Sequence, residues 1–140
     1  MHKVVIAIGS NTEASTSIHH CLEVLEGLLS DFQSTSILTT APIGMSSGPF
    51  LNCLVMGTSE LEYEELRHRL QYIEHECGNR KSLRRKGMIV MDIDILCYDN
   101  TRHHHADWNR EYVKELLKEL HFDFSSPDVR ESNHPTNIPS

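Results

Sequence analysis

The sequence predicts an α+β fold: a ferredoxin-like β-α-β-β-α-β sandwich with an additional C-terminal helix. Two kinds of stretch carry the prediction, short apolar runs bounded by turn residues and longer segments with apolar residues at helical spacing. Their order along the chain is the third observation: strand, helix, strand, strand, helix, strand, helix. Such an order gives an antiparallel sheet with both main helices on one face, and the last helix can cover part of the other.

Val4 to Ile8 is a nearly continuous β-branched run, as expected of a central strand buried on both faces, and Gly9-Ser10-Asn11 ends it in turn chemistry. Ile18, Cys21, Leu22, Leu25 and Leu29 then describe an amphipathic helix, with Thr16 or Ser17 available as its N-cap. Ser34 to Thr40 reads as the second strand, broken by Ala41-Pro42-Ile43-Gly44 and a loop to Pro49. Phe50 to Thr58 is the third. Its alternation puts Phe50, Asn52, Leu54 and Met56 on one face and Leu51, Cys53 and Val55 on the other. Ser59 can cap a second helix whose stripe is Tyr63, Leu66, Leu70, Ile73 and Cys77, with Gly78 as its C-terminal stop. Val90 to Tyr98 makes the fourth strand, and Trp108, Tyr112, Val113, Leu116, Leu117 and Leu120 the last helix. Residues 1–120 are expected to form one domain, and 121–140 a polar, turn-rich tail.

Composition narrows the function classes. The formal charge of -7 and pI near 5.8 argue against nonspecific binding to nucleic acid or an acidic membrane. The short apolar start ahead of Gly9 falls below a signal sequence or a membrane span, so a cytoplasmic location is expected. Cys21, Cys53, Cys77 and Cys97 show no C-x-x-C spacing and read as buried free thiols.

The chemistry concentrates in Met91-Asp92-Ile93-Asp94-Ile95-Leu96. A strand repeats every two residues, so Asp92 and Asp94 project from one face while Ile93 and Ile95 project from the other. Carboxylates so paired suit Mg²⁺, which completes its shell with water and phosphate oxygens. The same pattern also occurs as the solvated face of an edge strand. Just upstream, Arg80, Lys81, Arg84, Arg85 and Lys86 form a basic cluster without an acid, which suits a metal-polyphosphate ligand or a plain solvated loop. Gln71 and Glu74, on neighbouring turns, can face that loop. His103-His104-His105 reads as an exposed run or an adventitious metal site.

Taken together, Ala7-Ile8-Gly9-Ser10-Asn11, Phe50-Leu51-Asn52, Ile73-Glu74 ahead of Gly78, and Asp92-Ile93-Asp94-Ile95-Leu96 resemble the 6-hydroxymethyl-7,8-dihydropterin pyrophosphokinase family over roughly Val4 to Leu120. The resemblance implies transfer of pyrophosphate from ATP to a reduced pterin with release of AMP in folate biosynthesis, using two Mg²⁺ ions. By matching position it implies Asp92 and Asp94 as metal ligands and, with Arg85, as the catalytic set, to which Arg80 is added from one residue beyond the family position. It implies a pterin site of Thr40, Ala41, Ile43, Phe50, Asn52 and Tyr112. On the ATP side it implies Gln71, Glu74, Lys81, Arg84, Ile95, His104 or His105, and Arg110. The partners implied are these small molecules, with neither nucleic acid nor membrane.

The chain departs from the family pattern where arginines usually stand after the glycine and three residues before the first aspartate. Asn79 and Ile89 occupy those places, and Lys86 replaces a tryptophan. Arg80, Arg84 and Lys81 are the candidate stand-ins, Arg80 by a one-residue shift. The competing function is a catalytically weakened pterin- or nucleotide-binding paralogue. An RNA-binding domain of the same element order lacks its aromatic strand motif here, and a histidine-cysteine metal protein lacks paired ligands.

Overall fold

The computed structural model describes residues 1–41 and 49–120 and the backbone of 130–131. Ile43, most of the 44–49 loop and nearly all of the 121–140 tail lie outside the described residues. Among those described, the strands are β1 (His2–Ser10), β2 (Ser30–Ser34), β3 (Leu38–Thr40), β4 (Phe50–Ser59), β5 (Asp92–Tyr98), β6 (Thr101–Arg102) and β7 (Arg130–Glu131). The helices are α1 (Ala14–Leu28), α2 (Tyr63–Glu76), α3 (Lys81–Arg85) and α4 (Glu111–Leu117), with a 3₁₀ turn at His105–Asn109. No described helix is long and apolar enough to cross a membrane.

The sheet runs β2-β4-β1-β5-β6-β7, with β3 following β2 along the same edge of β4. All its pairings are antiparallel except the short β6–β7 contact. The two faces of β1 are buried differently. Val4, Ile6 and Ile8 join Ile18, Cys21 and Leu25 of α1, Leu66, Leu70 and Ile73 of α2, and Ile93 and Ile95 of β5 in one core. Val5 joins Leu54, Met56, Leu96, Trp108, Val113 and Leu116 in a second core beneath α4. Removing such side chains from water is the main driving force of the fold.

On this second face β1 tapers from Val5 through Ala7 to Gly9. Register places Gly9 between Asn52 of β4 and Asp92 of β5, and Ala7 between Leu54 and Asp94. The strand thereby stops filling space near its C-terminal end. A Cβ at Gly9 would lie 2.9 Å from Asn52 Oδ1, closer than van der Waals contact permits. The β1–β5 register shifts between Val5 and Ile6, leaving Leu96 unpaired as a bulge, so that Leu96 and Cys97 both reach the core under α4.

Several boundaries differ from the sequence expectation. The strand expected at Ser34–Thr40 forms only at its ends, Ser34 closing β2, which starts earlier at Ser30, and Leu38–Thr40 making β3. Between them Thr35 turns inward, accepts the N–H of Leu54 on its Oγ1 and donates its own N–H to Leu54 O. Helix α1 begins at Ala14 behind Glu13, which has a positive φ of 50°, and neither Thr16 nor Ser17 caps it. The basic stretch is helical in α3 rather than a loop. The last helix is split at Arg110, whose extended backbone separates the 3₁₀ turn bearing Trp108 from α4. Gly78 does end α2: with φ 99° it donates to His75 O while Asn79 donates to Glu74 O, a Schellman pattern.

Asn11 joins the end of β1 to the segment entering β5. Its side chain donates to Gly87 O at 2.7 Å and accepts from Ile89 N at 2.7 Å, while its own N–H donates to Ile89 O at 2.9 Å. The strand expected from Val90 accordingly begins at Asp92.

Gly9→Ala is expected to lower unfolding free energy by about 1–3 kcal/mol, since the added methyl must push the Asn52 amide aside in a packed row. Urea denaturation measures it, and an unchanged midpoint would contradict the close approach.

Candidate active site

The space left by Ala7 and Gly9 opens as a cleft of about 210 Å³. Its walls come from Thr40 of β3 and Ala41 after it, Phe50 and Asn52 of β4, Ile89 ahead of β5, Asp92 and Asp94 of β5, Asp107 of the 3₁₀ turn and Arg110 after it, and Tyr112 of α4. One side, the slot, is lined by two aromatic residues and an amide, and the other by carboxylates.

On the slot side Asn52 is buried and donates from Nδ2 to Thr40 Oγ1 at 2.6 Å, which fixes the orientation of its amide. Phe50 and Tyr112 are both half-buried on the walls. Burial pushes the Tyr112 hydroxyl up to about 12, and Asp107 adds to the effect. An amide of fixed orientation beside two aromatic side chains suits a flat heteroaromatic ligand with donors and acceptors on its edge.

On the acidic side the strand period brings Asp92 and Asp94 to the cleft while Ile93 and Ile95 enter the core beneath α1 and α2. Burial holds the Asp94 carboxyl well above its usual range, and Asp92, Glu74 and Asp107 push in the same direction. Its neighbour His104, with Nε2 3.6 Å from Asp94 Oδ1, is biased toward the neutral imidazole by burial. One ligand atom from each of Asp94, His104 and Asp107 falls within 4.8 Å of the others. Oxygen donors with one imidazole suit a divalent cation, and a dication there would relieve the repulsion among the acids.

Glu74 reaches this cluster from beneath. Its Oε2 accepts the N–H of Ile93 at 2.7 Å, closing an otherwise open edge of β5. Burial raises the Glu74 carboxyl to about 7, with Asp92 adding repulsion and the Ile93 N–H and Arg84 opposing.

The sequence-predicted residues divide between the two sides and the rim. Thr40, Ala41, Phe50, Asn52, Asp92, Asp94, Arg110 and Tyr112 line the cleft. Arg84 Nη2 bonds Asp92 Oδ1 at 3.0 Å. Gln71, Lys81 and Arg85 are exposed, and His105 opens the 3₁₀ turn. Ile95 turns its side chain into the core, leaving only its main chain for a ligand. Arg80 donates to His75 O and Asn79 O, each at 2.9 Å, and the cation on Asp92 is Arg84. Asp107 was missed. Its signal was the His104-x-x-Asp107-x-x-Arg110 spacing, which one 3₁₀ turn and its exit bring to one side, with Arg110 Nε 2.9 Å from Asp107 Oδ1.

The model of one protein family, 7,8-dihydro-6-hydroxymethylpterin-pyrophosphokinase (HPPK), matches residues 5–122. The chain belongs to the HPPK family. A 2-amino-4-hydroxy-6-hydroxymethyldihydropteridine pyrophosphokinase of Haemophilus influenzae is 32% identical over 139 residues, covering 88% of this chain and 84% of that enzyme. A folate synthesis bifunctional protein of Arabidopsis thaliana is 30% identical over 132 residues, covering 84% of this chain. That match spans 27% of the plant protein, so this HPPK chain corresponds to about a quarter of its length. HPPK proteins are transferases that use ATP as co-substrate.

The raised Glu74 predicts a pH dependence in metal-free protein. Its folded value of about 7 lies above the ordinary 4.5, so the stability it contributes is whole below about pH 4.5 and is lost as pH rises through about 7. Glu74→Gln keeps an acceptor for Ile93 without the charge. In chelator-treated samples it is expected to match wild type near pH 4.5 and exceed it at pH 8 by roughly 2 kcal/mol, by urea denaturation.

Proposed function

We propose that the protein transfers the pyrophosphoryl group of ATP to the hydroxymethyl group of 6-hydroxymethyl-7,8-dihydropterin, forming the pterin diphosphate and AMP in folate biosynthesis. The observation that carries this reading is the division of one cleft into an aromatic-amide slot and a carboxylate cluster, in a chain of the HPPK family. The pterin hydroxyl oxygen bonds to the β-phosphorus, the bond from that phosphorus to the α,β-bridging oxygen breaks, and AMP leaves with the electron pair. The hydroxyl proton passes to an acceptor in the cleft or to solvent.

Asn52, its amide fixed by Thr40, reads the polar edge of the pterin, with Phe50 and Tyr112 against the ring and the main chain at Thr40, Ala41 and Ile43 completing the contacts. Asp92 and Asp94 hold the metal, with Asp107 and His104 as supporting donors. Two Mg²⁺ ions are our expectation, and when bound they offset the charge of the phosphate oxygens and ease loss of the hydroxyl proton. Glu74, Gln71, the main chain at Ile95, His104 or His105, and Arg110 form the nucleotide side, while Arg80, Lys81, Arg84 and Arg85 supply positive charge around the phosphates. No protein nucleophile is required, because positioning and electrostatics carry such a transfer.

The observed strand order fits the ferredoxin-like sandwich, which we take as its class, with residues 1–120 as one domain. A cytoplasmic protein acting on small molecules, without nucleic acid or membrane, completes the reading and is supported by the net charge of -7. One observation favours the binding-paralogue alternative. Ile89 lines the cleft and is buried, so it places an uncharged side chain where family members carry an arginine.

Incubation with ATP, Mg²⁺ and the pterin, followed by chromatography of nucleotides, tests the reading. AMP is expected only when pterin is present. Asp92→Ala and Asp94→Ala are each expected to slow its formation at least about 100-fold while pterin binding survives. Pterin binding with no AMP from wild type would favour the paralogue.

A further inference from the structure

Arg84 occupies an unusual position for a cation beside a metal-binding carboxylate. Its Nη2 donates to Asp92 Oδ1 at 3.0 Å, engaging one of the guanidinium's five N–H donors. The same charge eases ionisation of Glu74 and of Asp94, so one guanidinium faces three acids. Arg80, by contrast, is committed to the carbonyls at the end of α2.

The backbone carrying Arg84 is held on the side that matters. Leu83 O accepts from Met88 N at 2.9 Å, Arg84 O accepts from Gly87 N at 2.9 Å, and the Asn11 side chain grips Gly87 and Ile89. With the main chain tied to β1, exchange of partners falls to the long Arg84 side chain. The pair stays partly open to water, the two side chains being 23% and 41% exposed, and pairs so exposed are held weakly.

We propose that Arg84 is a displaceable lock on the metal site: it neutralises Asp92 in the empty cleft and passes to a phosphate oxygen when a metal-triphosphate enters. The inference rests on reading the cleft as a magnesium-nucleotide site. A bare cation that takes Asp92 as a ligand competes with the guanidinium for that carboxylate and sits beside a positive charge. A cation arriving with triphosphate gives the same guanidinium a better anion, since a planar fork matches phosphate oxygens. Metal and nucleotide therefore bind with positive coupling, and Arg84 carries part of it.

The test is calorimetry with three titrants: Mg²⁺ alone, α,β-methylene-ATP with excess Mg²⁺, and the same analogue with chelator. Wild type, Arg84→Gln, Arg84→Lys and the double variant Arg84→Gln/Asp92→Asn are compared. Arg84→Gln is expected to bind Mg²⁺ alone about threefold tighter or more and the magnesium analogue about tenfold weaker. Arg84→Lys, which keeps the charge without the planar fork, should restore part of the coupling, and it answers the question if the glutamine variant does not fold. The double variant should lose the gain in Mg²⁺ affinity. Unchanged affinities in Arg84→Gln, or losses for metal and analogue together, would overturn the lock while leaving the proposed function standing. Wild type that binds no magnesium analogue would defeat both.

Discussion

The taper of β1 is the constraint on which the rest of the molecule depends. A central strand with large side chains on both faces would bury both and leave no room for a ligand. Here one face keeps Val4, Ile6 and Ile8 against α1 and α2, while the other shrinks from Val5 through Ala7 to Gly9. The wide end supports α4 and the narrow end is the floor of the cleft. Core and site are thus two ends of one strand face. Because Gly9 lies between Asn52 and Asp92 in register, the two halves of the cleft stand two inter-strand spacings apart with no side chain of β1 between them.

Charge is distributed around that floor with a clear asymmetry. Acidic groups converge from β5, α2 and the 3₁₀ turn, and the cations that answer them come from α3 and from Arg110. Buried carboxylates that repel one another resist ionising, and this is the burial-driven shift seen at Asp94 and Glu74. Stability is given up there for readiness to bind a cation, a common arrangement at functional sites. Glu74 serves both purposes, since the bond that closes the edge of β5 also holds its charge near Asp92.

Much of this was legible in the sequence because strand periodicity is geometric. The alternation in Phe50–Thr58 put Phe50 with Asn52 on one face of its strand, and that in Asp92–Leu96 put Asp92 with Asp94 on one face of theirs. The register that brings both pairs to the cleft came only with the fold. Where tertiary contacts override local pattern, the reading failed. Thr35 divides one expected strand because its hydroxyl replaces a ladder partner of Leu54, a substitution that propensity does not encode. Leu96 and Cys97 share a face only because of the bulge, which strict alternation forbids. Arg80 and Arg84 looked equivalent in a basic run. Only the helical turn of α3 and the Schellman end of α2 send one to backbone carbonyls and the other to Asp92. Asp107 escaped because three histidines drew the reading of that loop, although its spacing from His104 held the signal.

The Asn11 clamp bears on how the molecule is assembled. Its side-chain bonds to Gly87 and Ile89 join positions 76 and 78 residues apart in the chain. Contacts of such separation are costly in loop-closure entropy and reward the chain only after the intervening elements have compacted. Local helices can form early, but the seam between the first and last main strands closes only when most of the chain is in place. The acidic side of the cleft is built across that seam. A nascent or partly unfolded chain therefore carries every ligand residue without their arrangement, and the finished cleft is itself a record that folding has run to its end.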